Sequence, residues 1–86
     1  MDDSLNCLQH FDIALCEDAH MKASNDVENR DFVMWVILEY QNTYRIIKHH
    51  PERKEELESK YKAFEQVIRQ YVLGLDINKA CIENGV

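Results

Sequence analysis

Cysteine and histidine are the side chains of this 86-residue chain that could act as nucleophiles, bases or soft metal ligands. The chain contains Cys7, Cys16, Cys81, His10, His20, His49 and His50. No histidine lies four residues from another, and no Cys–His spacing matches a zinc site. Cys16 and His20 would share one helical face, but a thiol nucleophile also needs an orienting group and an oxyanion site, and neither is recognisable. We therefore predict no metal, no cofactor and no enzymatic activity.

The cysteine count and the apolar pattern also indicate a compartment. An odd number of cysteines without paired spacing is not a disulfide framework. No basic segment followed by an apolar stretch marks a signal peptide. The longest apolar run, residues 32–38, is too short to span a bilayer. We expect a cytoplasmic protein with reduced thiols and no membrane contact.

A second spacing that could support catalysis occurs in Arg45-Ile-Ile-Lys-His-His50, in which four residues separate the arginine from the last histidine. It resembles the Arg-x4–6-His signature of the higher eukaryote and prokaryote nucleotide-binding ribonucleases, which are helical and dimeric. The resemblance implies that Arg45 and His50 would activate and stabilise a phosphodiester during cleavage. Ile46 stands where that family usually has a polar residue. We favour the alternative that these cations offset the dipole at a helix C-terminus.

The tail, residues 74–86, resembles the first helix and the turn of a helix-turn-helix unit. A small residue such as Ala80 packs inside such units, and a turn like Asn84-Gly85-Val86 leads into the recognition helix. That second helix would begin at Val86, and without it no side chain reaches the major groove. We favour a short C-terminal helix capped by Asp76; a chain that continued past Val86 would favour the nucleic-acid interpretation.

Charge is unevenly distributed along the chain. The net charge is −6, and residues 1–31 carry all of it, since residues 32–86 hold eight acids and eight bases. Non-specific nucleic-acid binding needs a basic face, so this balance disfavours a nucleic-acid partner. The acids of the first predicted helix would suit a basic protein partner; the alternative is that they solvate an exposed face. The predicted acidic partner surface consists of Asp12, Glu17 and Asp18.

The periodicity of apolar residues predicts an all-α fold in a single domain, residues 1–86. A first helix over 4–22 would carry an apolar stripe formed by Leu5, Leu8, Phe11 and Leu15. Asn25 and Glu28 form a variant capping box that would start a second helix over 26–48. Pro51 suits the first turn of a third helix over 51–73, and Gly74 suits its end. A connection this short forces the two long helices antiparallel. The prediction is a three-helix bundle centred on this hairpin, with a short C-terminal helix, 77–83.

Apolar residues on the two long helices recur in steps of four and three, which is the spacing of a packed seam. Together with Trp35 they make more apolar surface than three helices readily cover, and such a surplus marks an interface. The predicted interface residues are Val33, Ile37, Tyr40, Tyr44, Tyr61, Phe64, Ile68 and Tyr71.

The function predicted from these patterns is a non-enzymatic protein–protein interaction module. It would be a small acidic regulator, inhibitor or adaptor of bacterial or phage type, acting as a homodimer or on a protein target through an apolar helix face. The alternatives are a nucleic-acid-linked regulator that uses the tail 74–86 and a ribonuclease that uses Arg45 and His50.

Overall fold

Long stretches without glycine or proline fold as helices in the computed structural model, which describes residues 13–86. The elements are α1 (Ile13–Ser24), α2 (Arg30–His49), a 3-10 turn (Pro51–Arg53), α3 (Lys54–Val72) and α4 (Ile77–Glu83). Among these residues there is no strand, so the all-α prediction is confirmed. The apolar stripe predicted before Asp12 lies outside the described residues.

The start of α2 differs from the prediction. Asn25 does not cap this helix, and its side-chain amide instead donates to the Met21 carbonyl at 3.4 Å. The carboxylate of Asp26 accepts from the backbone N–H and the side-chain amide of Asn29 at 3.2–3.3 Å. Because Asp26 satisfies the local donors in this way, residues 26–29 form a turn and α2 begins only at Arg30. The capping-box prediction is therefore wrong.

Proline and glycine delimit the other helices as expected. His50 is extended before Pro51 (φ −132°, ψ 72°), and Pro51 opens the 3-10 turn that precedes α3. Gly74 has a positive φ of 109°, and the N–H groups of Gly74 and Leu75 donate to Tyr71 and Gln70, closing α3 with a Schellman motif. Asp76 caps α4 by accepting from two backbone N–H groups at 2.9 and 3.2 Å. The predicted roles of Gly74 and Asp76 are confirmed.

The core lies where α1, α2 and α3 meet, and α4 packs on α3. Ala19 and Ala23 are fully buried on α1, so this helix approaches the other two closely. Apolar residues of all four helices complete the core: Leu15, Val33, Val36, Ile37, Ile47, Phe64, Val67, Ile68, Ile77 and Ala80. No helix within residues 13–86 has both the length and the apolar character needed to cross a bilayer.

Tyr40 is the largest fully buried side chain. Its ring stacks on Tyr61 with centroids 5.0 Å apart, and its hydroxyl donates to Glu65 Oε2 at 2.8 Å. The Tyr61 hydroxyl lies 3.4 Å from that of Tyr40, and burial raises the pKa of Tyr61. A buried phenol must find an acceptor, so this group holds α2 and α3 at one register.

Tyr71 joins α1, the turn after it and the end of α3. Its hydroxyl donates to Asp26 Oδ2 at 2.9 Å, while the Lys22 ammonium donates to the Tyr71 carbonyl and lies 4.5 Å from the ring centroid. Donation from Tyr71 and Asn29 lowers the pKa of Asp26. Burial, together with the hydrogen bond to Asp26, raises the pKa of Tyr71 to about 12.

Replacement of Tyr71 by Phe should weaken the pH dependence of the free energy of unfolding in both the acid and the alkaline range. The pKa of Asp26 is lowered, so its contribution is present above pH 3.8 and is lost as the pH falls through the folded-state pKa. The pKa of Tyr71 is raised, so its contribution is complete below pH 10 and is lost as the pH rises through about 12. Urea unfolding across this range measures both. Asn29→Ala is the control, since it should alter only the acid side; an unchanged alkaline side in Tyr71→Phe would contradict the assignment.

Gly74→Ala should destabilise the protein by about 1–2 kcal/mol, the cost of a left-handed backbone for an L-residue. The added Cβ would meet no atom within 4 Å, so the loss comes from the backbone alone. Leu73→Ala is the matched control, because Leu73 is exposed and has a φ of −79°. Chemical unfolding compares the two. Equal stability of both variants would mean that the positive φ is not required.

Candidate functional site

The eight predicted interface residues lie between helices of the same chain. Tyr44 is partly buried and packs against the core, and the other seven are buried: Val33, Ile37, Tyr40, Tyr61, Phe64, Ile68 and Tyr71. Spacing in the sequence identifies an apolar seam, but it does not tell whether the same chain or a second one covers that seam. These side chains are therefore covered, wholly or in part, by other helices of the same chain.

Phe32 and Trp35 form an exposed aromatic pair on α2. Their rings stack with centroids 5.8 Å apart and an interplanar angle of 12°. They lie three residues apart, on one side of the helix, while Val33 and Val36 point into the core. The Trp35 ring also meets Phe64 of α3 edge-on, at 6.1 Å. This contact orients the ring, yet 45% of Trp35 stays exposed.

A groove of about 510 Å³ runs beside this pair, and we call it the Trp35 groove. Trp35, Phe64 and Ala63 give it apolar walls, and the C-terminal turn 84–86 closes one side. Glu56, Ser59 and Lys60 of α3 complete the lining. None of the cysteines or histidines in residues 13–86 lines it, and its described lining combines apolar walls with a polar edge.

The C-terminal turn is fixed in place by hydrogen bonds. Asn84 donates from its side chain to Gln70 Oε1 at 3.1 Å and to the Ala80 carbonyl at 2.8 Å. Gly85 has a φ of 72°, which lets the Val86 N–H donate to the Cys81 carbonyl at 2.9 Å. The wall that Val86 contributes to the Trp35 groove is thus part of the fold.

A second groove, of about 630 Å³, lies between α1 and α2, and we call it the α1–α2 groove. Its lining comprises Ile13, Cys16, Glu17, His20, Ile37, Gln41, Tyr44, Arg45, Lys48 and His49. The structure thereby brings Cys16 and His20 to one groove with Arg45. His50 does not line it and instead contacts Glu52 at 3.4 Å. The sequence pattern singled out several of these residues but not the groove that collects them.

The remaining predicted site residues lie apart from the Trp35 groove. Glu17 and Asp18 are exposed on α1, and Asp12 lies outside the described residues. Ala80 is fully buried. Burial raises the pKa of the Cys81 thiol, which keeps it protonated and poorly nucleophilic. Within residues 13–86, no three acidic, cysteine or histidine side chains lie close enough together to hold a metal ion.

Trp35→Ala should cost less than the ~3–5 kcal/mol typical of a fully buried large aromatic residue, because nearly half of this side chain is already in water. Phe64→Ala is the matched comparison, since Phe64 is 3% exposed and contacts the same ring; it should reach that range. Chemical unfolding of both variants measures the difference. An equal loss would mean that the indole is held as tightly as a core residue.

The chain was compared with protein-family models, with curated proteins and with solved structures, and none of these gave a significant match.

Proposed function

We propose that this chain is a non-enzymatic protein-interaction module, a small acidic cytoplasmic regulator, inhibitor or adaptor that docks through the Trp35 groove. The observation that carries the proposal is the stacked Phe32–Trp35 pair, exposed beside a groove of about 510 Å³. Tryptophan and other aromatic residues are enriched in the energetic centres of protein interfaces. The ring is oriented in advance by Phe64, so little side-chain freedom is lost on docking.

We infer that α2 and α3 form an antiparallel hairpin at the centre of a three-helix bundle. The inference is supported by the order of contacts, since Trp35 meets Phe64 while the later residue Tyr40 meets the earlier residue Tyr61. Residues of both helices line the Trp35 groove, so the packing of this hairpin fixes the positions of the groove walls.

A second copy of the chain is the occupant we propose for the Trp35 groove. Closed homodimers use the same patch on both subunits, so the patch must complement itself. Glu56 and Lys60 both line the groove, one turn apart on α3. In the two-fold arrangement that we propose, the Glu56 carboxylate, which also accepts from Arg53 of its own chain at 2.8 Å, faces the Lys60 ammonium of the other copy. The exposed acids Glu17 and Asp18 lie on α1 and stay available to steer a basic target.

Sedimentation equilibrium tests the dimer directly. We expect wild-type chain to dimerise and Trp35→Ala to weaken association by roughly tenfold or more, as interface hot spots do. Ile82→Ala is the control, because Ile82 is exposed but lies outside the Trp35 groove. Trp35 is the only tryptophan of the chain, so its emission should shift to shorter wavelength on association. A wild-type chain that stays monomeric would exclude the second copy as the occupant.

Charge reversal tests the arrangement of the two copies. Lys60→Glu and Glu56→Lys should each weaken self-association, because like charges then face each other across the two-fold axis. A mixture of the two variants should restore it, since every pair across the interface again has opposite charges. Failure of the mixture to associate, with both variants folded, would contradict the two-fold arrangement.

A further inference from the structure

The α1–α2 groove has the form of a ligand site. Its volume of about 630 Å³ falls in the range of roughly 300–1,000 Å³ found for small-molecule pockets. Ile13 and Cys16 of α1, with Ile37 and Tyr44 of α2, provide apolar surface. Cys16 and Ile37 are buried, so they form the base of the groove rather than its rim.

The cations of this groove contrast with the acidity of the whole chain. Arg45 and Lys48 lie three residues apart on α2, and both line the groove. Neither makes an ion pair within residues 13–86, whereas Arg53, Lys62 and Arg69 each contact a glutamate of the same helical segment. Two cations that have no ion-pair partner in the described part of the chain form a local attraction for an anion in a protein of net charge −6.

Polar groups around these cations extend the donor set. His20 on α1 and His49 at the end of α2 bring ring N–H donors, and Gln41 brings a side-chain amide. Among the residues that the structure describes, Glu17 is the one carboxylate of the lining, and it belongs to the α1 wall. It repels a second anionic group, so the groove favours a molecule that carries its negative charge at one end.

We propose that the α1–α2 groove binds a small amphipathic anion, with a carboxylate or phosphate head on Arg45 and Lys48 and an apolar body over Ile13 and Ile37. The guanidinium can hold either head group through two parallel hydrogen bonds, and the ammonium adds a point charge. Dimerisation through the Trp35 groove would leave this site open, because none of the described residues lines both grooves.

Titration of the full chain with four probes, followed by amide chemical shifts, tests the site. Octanoate and octyl phosphate separate the two head groups, octanol lacks the charge, and inorganic phosphate lacks the apolar body. We expect at least one of the two amphiphiles to bind, with shifts centred on residues 37–49 and 13–20. Octanol and inorganic phosphate should each bind roughly tenfold more weakly, since each keeps only half of the interaction.

The double variant Arg45→Gln/Lys48→Gln should lower the affinity for that amphiphile by roughly tenfold or more. Arg53→Gln is the matched control, because Arg53 carries the same charge close by, pairs with Glu56 at 2.8 Å and does not line the groove. All these positions are on the surface, so melting temperatures should be preserved. Absence of binding by both amphiphiles, equal binding of octanol, or unchanged affinity in the double variant would overturn the proposal.

Discussion

The requirement that a buried phenol keep its hydrogen bond determines the geometry of this protein. Tyr40 has no contact with solvent. At the observed register of α2 and α3, its hydroxyl donates a hydrogen bond to Glu65 and lies within hydrogen-bond distance of the Tyr61 hydroxyl. A shift by one turn would separate the Tyr40 hydroxyl from both groups, and the loss of a buried hydrogen bond is costly. At this register Val33 and Ile37 point inward, and Trp35 is left at the surface.

The two grooves follow from that register together with the small residues of α1. Ala19 and Ala23 bring α1 close to α2 and α3. The α1–α2 groove is lined by side chains between residues 13 and 20 of α1 and between residues 37 and 49 of α2. The Trp35 groove lies beside Phe64, where the C-terminal turn meets α3. A single packing arrangement thus creates one apolar surface with balanced charge and one cationic cleft in an acidic chain.

Local rules predicted the features that depend on neighbouring residues. Gly74, Asp76 and Pro51 act through their own backbone, and each has the role expected from its residue type. The start of α2 was mispredicted because Asp26 and Asn25 are both capable caps, and the distant Tyr71 hydroxyl adds to the hydrogen bonds that hold Asp26. The exposure of Trp35 could not be predicted from the sequence for a similar reason. Periodicity places a side chain on a helix face, but it does not tell which neighbouring helix covers that face.

The contacts of Tyr71 have a consequence for the order of folding. Tyr40 and Tyr61 are 21 residues apart, whereas Tyr71 is 45 residues from Asp26 and 49 from Lys22. Closing the longer loops costs more chain entropy, so we expect the Lys22–Tyr71–Asp26 contacts to form after the Tyr40–Tyr61 pair. Weakening contacts that form late accelerates unfolding more than it slows folding. We therefore expect the lifetime of the native state, rather than the speed of reaching it, to depend on this corner.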